Sequence, residues 1–332
     1  MSIISIFAAA SLAQTHLGGA LGAIIECRFI TNKKGGTCIA DASARYPKVL
    51  QPLEEPGPPM VHPTLRSLRW TFGPERIFEA LLMTVPKGEK KLTVDVGANR
   101  GSFGGMATER GHRAIAFEPF PQNIATLKAL YPTVKLIAKG VGDKPAKVVM
   151  RGNSGGKSAG KGKKKFDVGA EVQLNGCDAK KVQCETIEIT TLDAELQSAG
   201  PIFVMKMDIQ GFETNAFRGG MQLLAHRRVD VFIIEFDPQL QARQYGSCLE
   251  IMLLLRGAGY VLFEGAVVKK GTYKPVPQSL GDTHAFADYV AELEKTRTYT
   301  DLVAVRYELV PRALVYNETK AKPTGKGLFG WF

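Results

Sequence analysis

The stretch LTVDVGANRGSFGGMATERGHRAIAFEP, Leu92 to Pro119, restricts the architecture more than any other part of the chain. A short apolar, β-branched run closes on Asp95, a turn follows through Gly97, Ala98, Asn99 and Gly101, and a second apolar run closes on Glu118. A backbone that turns sharply from strand to helix, and that lets a ligand approach without side-chain obstruction, needs glycine at the turn. At the end of the second strand, the Glu118 carboxylate can accept two hydrogen bonds from a ribose diol, which points to a nucleoside cofactor. A nicotinamide fingerprint would read GxGxxG and turn helix amides toward a pyrophosphate. The spacing here is instead D-x-G-x-N-x-G, Asp95, Gly97, Asn99 and Gly101. An acid just before the turn repels pyrophosphate and suits a cofactor that carries an ammonium group, such as the amino-acid end of S-adenosylmethionine. An ordinary Gly-rich strand-to-helix turn is the bland alternative for either feature alone.

Beyond this stretch, short apolar runs alternate with helical patterns. KLTVDV, RAIAF, VKLIA, IFVMKMD, DVFIIEF, YVLFE and DLVAVR read as strands. PERIFEALLMTV places Ile77, Leu81 and Leu82 on one helical face, and PQNIATLKALY places Ile124, Leu127 and Tyr131 on another, with Pro121 suited to a first turn. Alternation of this kind predicts a parallel sheet covered by helices, with its ligand at the carboxyl ends of the strands, after Asp95, Glu118 and Asp208.

A second constellation is VMKMDIQGFETNAFRGGMQLL. An apolar strand ends on Asp208, turns through Gln210 and Gly211, and enters a helix at Glu213 in which Phe217, Met221 and Leu224 recur at helical spacing. An acid closing an apolar strand is costly unless it is paired or wet, which makes Asp208 a candidate for chemistry. Glu213 is a second candidate, although a carboxylate in a first helical turn also complements the helix dipole. Glu235, with Asp237 two residues on, borders an acceptor pocket or marks the exit of its strand into water. His284 is an acid or base by chemistry, or a lone surface histidine.

The chain has 332 residues and a formal net charge of +11, an excess that on its own favours anionic partners. Much of it sits in Gly- and Ser-punctuated runs, KSAGKGKKK at Lys157–Lys165 and KAKPTGKG near the end, of the kind that solvent usually surrounds. The five cysteines lack the close spacing of zinc sites, so no metal is expected. In an exported chain Cys27 with Cys38, or Cys177 with Cys184, could pair. Before Glu26 the N-terminus carries no charged side chain, which leaves a signal segment, a membrane anchor and a packed extension all open. RYPKVLQPLEEPGPPMVHP, Arg45 to Pro63, is dense in proline and reads as a linker.

The blocks VDVGANRGSF, AFEPFPQNIATLKA, GVGDKPAKV, ITTLDAEL, MKMDIQGFETNAFRGGMQLL and VFIIEFDP resemble, in that order, those of FkbM-type S-adenosylmethionine-dependent methyltransferases. The similarity spans roughly residues 67 to 310. The resemblance implies a class I, Rossmann-like α/β three-layer sandwich whose seven-stranded, mostly parallel sheet has a late antiparallel strand. It also implies methyl transfer, usually to a hydroxyl oxygen, here on a small molecule or glycan. Carried over by position, Asp95, Gly97, Asn99 and Gly101 form the donor loop, Glu118 holds the ribose, Asp143 lies near the adenine and Asp208 sits by the methionine moiety or the acceptor. The family often has an acid where Gln210 stands, and the Lys-rich insertion is not typical of it. The expected organisation is an N-terminal extension and linker over 1–66, the methyltransferase domain over 67–310 with an insertion at 151–165, and a basic tail over 311–332. No specific nucleic-acid partner is expected, and the N-terminus offers a route to membrane association. The rival readings are a noncatalytic nucleic-acid or membrane-surface module and an NAD-dependent oxidoreductase.

Overall fold

The computed structural model describes residues 28–30, 37–39, 73–151, 171–173, 184–269, 272–274 and 283–310. The proline-rich stretch, the Lys157–Lys165 run and both termini lie outside the described residues, with the expectations attached to them. The chain divides into two compact units, Met1–Arg45 and Tyr46–Phe332. In the first, β1 (Arg28–Ile30) and β2 (Thr37–Ile39) pair antiparallel, with Arg28 opposite Ile39.

In the second unit, α1 (Gly73–Leu82) precedes β3 (Leu92–Val96), α2 (Ser102–Glu109), β4 (Arg113–Phe117), α3 (Pro121–Leu130) and β5 (Lys135–Ile137). Four short strands and a helix follow: β6 (Gly140–Val141), β7 (Ala146–Arg151), β8 (Glu171–Gln173), β9 (Cys184–Thr190) and α4 (Leu192–Leu196). Next come β10 (Ile202–Met207), α5 (Glu213–Arg218), α6 (Met221–Ala225), β11 (Val229–Phe236), α7 (Pro238–Arg243) and α8 (Cys248–Gly257). The last elements are β12 (Tyr260–Lys269), β13 (Thr272–Lys274), α9 (Thr283–Thr296) and β14 (Tyr299–Arg306).

The main sheet has the order β5-β4-β3-β10-β11-β14-β12-β13. β5, β4, β3, β10 and β11 are parallel, and β14 inserts antiparallel between β11 and β12. This is the class I methyltransferase arrangement. The seven strands expected from the sequence are all present, and the short β13 adds an eighth by pairing antiparallel with β12. Because helices cover both faces, the central strands are mostly apolar and buried on both sides rather than alternating, with Asp95 in β3 and Lys206 in β10 as the charged exceptions. Val204, Val231 and Val303 pack with Phe78 and Phe103 on one side, while Met205, Phe232 and Ile234 pack with Ile251, Leu255 and Phe286 on the other.

The chain leaves β3 toward β4 on one side and returns through β10 on the other. A crevice therefore opens at the carboxyl ends of β3 and β10, where the winding direction reverses. A second sheet, β6-β9-β7-β8, carries Met150, Ile187 and Ile189 on an apolar face that Phe212 covers. The sequence places a surface insertion at 151–165 and ordered structure again from CETIEITTLDAEL, without assigning a second sheet. The insertion's flanks, β7 and β9, pair antiparallel from Ala146 opposite Ile189 to Arg151 opposite Cys184.

The single helix expected after Glu213 is two helices. A Cβ at Gly219 would lie 2.0 Å from the Gly142 carbonyl oxygen, so the backbones touch there and the helix breaks. The restart is capped by Asp193, whose carboxylate accepts from the Gln222 and Leu223 amides at 2.9 Å each.

Candidate active site

A cavity of about 230 Å³ occupies the crevice, lined by Gly97, Asn99, Glu118, Lys206, Asp208 and Phe212, with Val141, Met150, Ile187 and Ile189 as an aliphatic wall. The turn after β3 is tied to the end of β4 through the backbone. Gly97 and Ala98 amides donate to the Phe117 carbonyl at 3.0 and 2.9 Å. The Asn99 amide donates to Glu118 Oε2 at 2.7 Å, with Asn99 at φ +50, a conformation that asparagine tolerates better than most residues. Glu118 Oε1 accepts from the Phe120 amide at 2.9 Å and from Asn123 at 3.4 Å. These three donors aim the carboxylate, yet burial outweighs them and pushes Glu118 up to about 7.

Asp95 ends up beneath the cavity rather than in its lining. It is 2% exposed, with both carboxylate oxygens shut off from solvent. Its nearest cation is the Lys206 ammonium, 3.9 Å away. Burial raises Asp95 to about 6, against the pull of Lys206. Gly101 lies at the α2 N-terminus with φ +85, packed against Leu127 and outside the lining. Asp143 is exposed on the turn after β6 and also outside the lining.

Asp208 follows β10 and faces the cavity, its side chain 36% exposed. Lys206 lies 3.2 Å from Oδ2, and the Gln210 side-chain amide donates to Oδ1 at 3.0 Å. Burial alone would raise Asp208, but Lys206 and Gln210 overcome it and hold the group below the ordinary carboxylate range. The same Gln210 nitrogen donates to Glu235 Oε2 at 3.0 Å. Glu235 therefore does not simply exit into water. It is half-buried beside Asp208, and burial followed by the Asp208 and Glu213 charges pushes it well above its usual value. Asp237 is structural, capping α7 by accepting from the Gln239 and Leu240 amides.

Glu213 is 1% exposed and does not line the cavity. Its Oε1 accepts from the Ile209 amide at 2.7 Å and its Oε2 from Gln241, so it clamps the turn that carries Asp208. Burial raises it to about 8. His284 lies in the first turn of α9, with its side chain outside the described residues.

Sequence reasoning passed over Lys206, although a lysine inside IFVMKM was the available signal: a cation in a strand buried on both faces requires partners. It also passed over Glu75 and Asp301, which only the fold brings to this end of the sheet. Asp301 pairs with Glu235 across β14 and β11, and burial together with Asp208 raises it to about 7. Among the described residues no group of His, Cys, Asp and Glu has the arrangement of a metal site. Among them too, Cys184 is disulfide-bonded and Cys248 is free and buried, and no helix is long and apolar enough to cross a membrane.

The model of the methyltransferase FkbM domain matches residues 95–262, half of the chain, and covers both acid-bearing turns. The chain belongs to the FkbM methyltransferase family. As a member it is an S-adenosylmethionine-dependent methyltransferase that acts on an acceptor, and the nicotinamide reading falls away. No curated protein matches the chain significantly. Similar solved structures include precorrin-6y C5,15-methyltransferase from Geobacter metallireducens, 10% identical over 72% of this chain and 92% of that one, TM-score 0.34. Magnesium protoporphyrin IX methyltransferase from Synechocystis, with bound SAM, is 10% identical over 80% and 92%, TM-score 0.35. A putative methyltransferase from Streptococcus mutans, in complex with SAH, is 8% identical over 71% and 99%, TM-score 0.36.

The residues present fit the donor chemically. The cavity offers an aimed carboxylate at the end of β4, an aliphatic wall, and Asp208 beside Lys206, with the Asp95 carboxylate buried behind that lysine.

Proposed function

We propose that this FkbM-family enzyme methylates a hydroxyl oxygen on a small molecule or glycan. The observation that carries the reading is Asp208, a cavity-facing carboxylate that Lys206 and Gln210 keep ionised. An ionised carboxylate can accept the hydrogen bond, and then the proton, of an acceptor hydroxyl. S-adenosylmethionine supplies an activated methyl group and a thioether leaving group. The protein's part is to orient both reactants, which can lower a barrier by roughly 7–11 kcal/mol. Glu118 would hold the ribose and the Gly97–Gly101 turn the methionine end, with Asp95 acting from below through its charge. The aliphatic wall would cover the adenine. Glu213 is a positioning residue, since it reaches Asp208 only through the turn it clamps. The domain carrying this activity would be 67–310.

Glu118→Ala should weaken donor binding by about 1.5–3 kcal/mol, the worth of a charged hydrogen bond, as read by calorimetric titration. Unchanged affinity would remove the ribose assignment.

A pH dependence follows from the raised carboxylates. Asp95, Glu118 and Asp301 hold protons in the folded chain at pH values where an unfolded chain has released them. The stability they contribute is complete below about pH 4 and is lost as pH rises through about 6 to 7. In the ligand-free enzyme, melting should therefore move upward as pH is lowered from about 8 to about 5.5. Donor binding needs Glu118 ionised and should weaken over the same interval by on the order of tenfold or more. Donor affinity that stays flat while melting shifts would mean Glu118 is not a ligand group.

A further inference from the structure

Lys206 stands between Met205 and Met207, both fully buried, in the middle of the sheet, and its own side chain is 7% exposed. Its ammonium joins the turn after β3 to the end of β10. It lies 3.2 Å from Asp208, 3.9 Å from Asp95 and 3.5 Å from the Gly97 carbonyl oxygen, and sits 5.0 Å from the centre of the Phe103 ring. Burial opposes its charge, but Asp208 and Asp95 reverse that and push its pKa up, so it remains an ammonium and cannot act as a base.

We infer that Lys206 sets the cavity's preference between the sulfonium donor and its neutral thioether product. The inference rests on the reading of this cavity as the donor site. The two ligands differ by one methyl group and one positive charge, so a fixed charge nearby acts on one and hardly on the other. Asp95 and Asp208 attract the sulfonium, and Lys206 offsets one of the two carboxylates. Counting Asp95, Asp208 and Lys206 alone, with both carboxylates ionised, the net charge is −1, and without Lys206 it is −2. Lys206 thus restrains ground-state attraction for the donor and favours the state in which the sulfonium charge has been lost, which is the direction of transfer.

The test is calorimetric titration of wild type, Lys206→Met, Lys206→Arg and Asp208→Asn with S-adenosylmethionine and S-adenosylhomocysteine. About pH 8.5 lies above the values of Asp95 and Glu118, so both are ionised there. Lys206→Met should shift the ratio of the two dissociation constants toward the sulfonium ligand by about tenfold. Lys206→Arg should leave the ratio near wild type. Asp208→Asn should shift it the opposite way, and no shift there would overturn the inference even if Lys206→Met does not fold. A merely structural lysine would lower both affinities together and leave the ratio unchanged, which would overturn the inference. If wild type binds neither ligand, the cavity is not the donor site and both readings fall.

Discussion

Gly97→Val is expected to abolish donor binding and to lower the melting temperature. A Cβ at this position would sit 1.9 Å from the carbonyl oxygen of Asp208 and 2.9 Å from its carbonyl carbon. Both obstacles are backbone atoms of the central strand's exit, so neither can rotate away. In addition, φ is +81, a conformation that branched side chains resist. The combined strain should cost about 3 kcal/mol or more, which for a domain of this size lowers melting by roughly 5–10 °C. Relief would require the turn to move away from Asp208, carrying with it the Asn99 amide that aims Glu118. Affinity should then fall by at least about a hundredfold. The control is Gly111, which has the same φ of +81 and nothing within 4 Å of its would-be Cβ. Gly111→Ala measures backbone strain alone, on the order of 1 kcal/mol. If Gly97→Ala costs no more than Gly111→Ala, the close approach of the two turns is not what requires glycine.

Asp208→Asn is the second large effect. The substitution keeps the shape but removes the acceptor for a hydroxyl proton, so turnover should drop by roughly 10²–10⁴-fold. Donor affinity should change far less, because a side chain of the same shape still sits beside the donor turn and only one of the floor charges is gone. The measurement is the initial rate of labelled methyl transfer to a hydroxyl acceptor, set beside the calorimetric donor affinity of the same protein. Equal loss in both would make Asp208 a cofactor residue and leave the proton without this acceptor. The Gln210 bridge adds a prediction of sign. In the Asp208→Asn variant, Glu235 loses a neighbouring negative charge, so its pKa should fall toward the ordinary range.

Much of this site was legible before any coordinates. The turn at Gly97 and the acid at Glu118 are local consequences of strand–turn–helix chemistry, and the structure joins them through a single amide of Asn99. The seven main strands were legible because strands buried on both faces announce themselves as apolar runs. Two features escape a local reading for a shared reason. The helix after Glu213 was read as continuous because its apolar spacing is continuous, and the break at Gly219 comes from a remote backbone, that of Gly142. For Glu235 the sequence leaves a pocket border and a strand exit into water both open, because its environment is set by Gln210 and Asp301 from other segments.

The seven strands, their alternation with helices and the acids at the strand ends can be read from the sequence alone, because strand burial and turn chemistry act over a few residues. What those acids can do is set by the folded chain. It buried Asp95 beneath the cavity, turned Glu213 into a clamp, and placed Lys206 against Asp208. Whether a carboxylate is a counter-ion, a structural acceptor or a base depends on desolvation and on charges within a few ångströms, and these come from segments far apart in the chain.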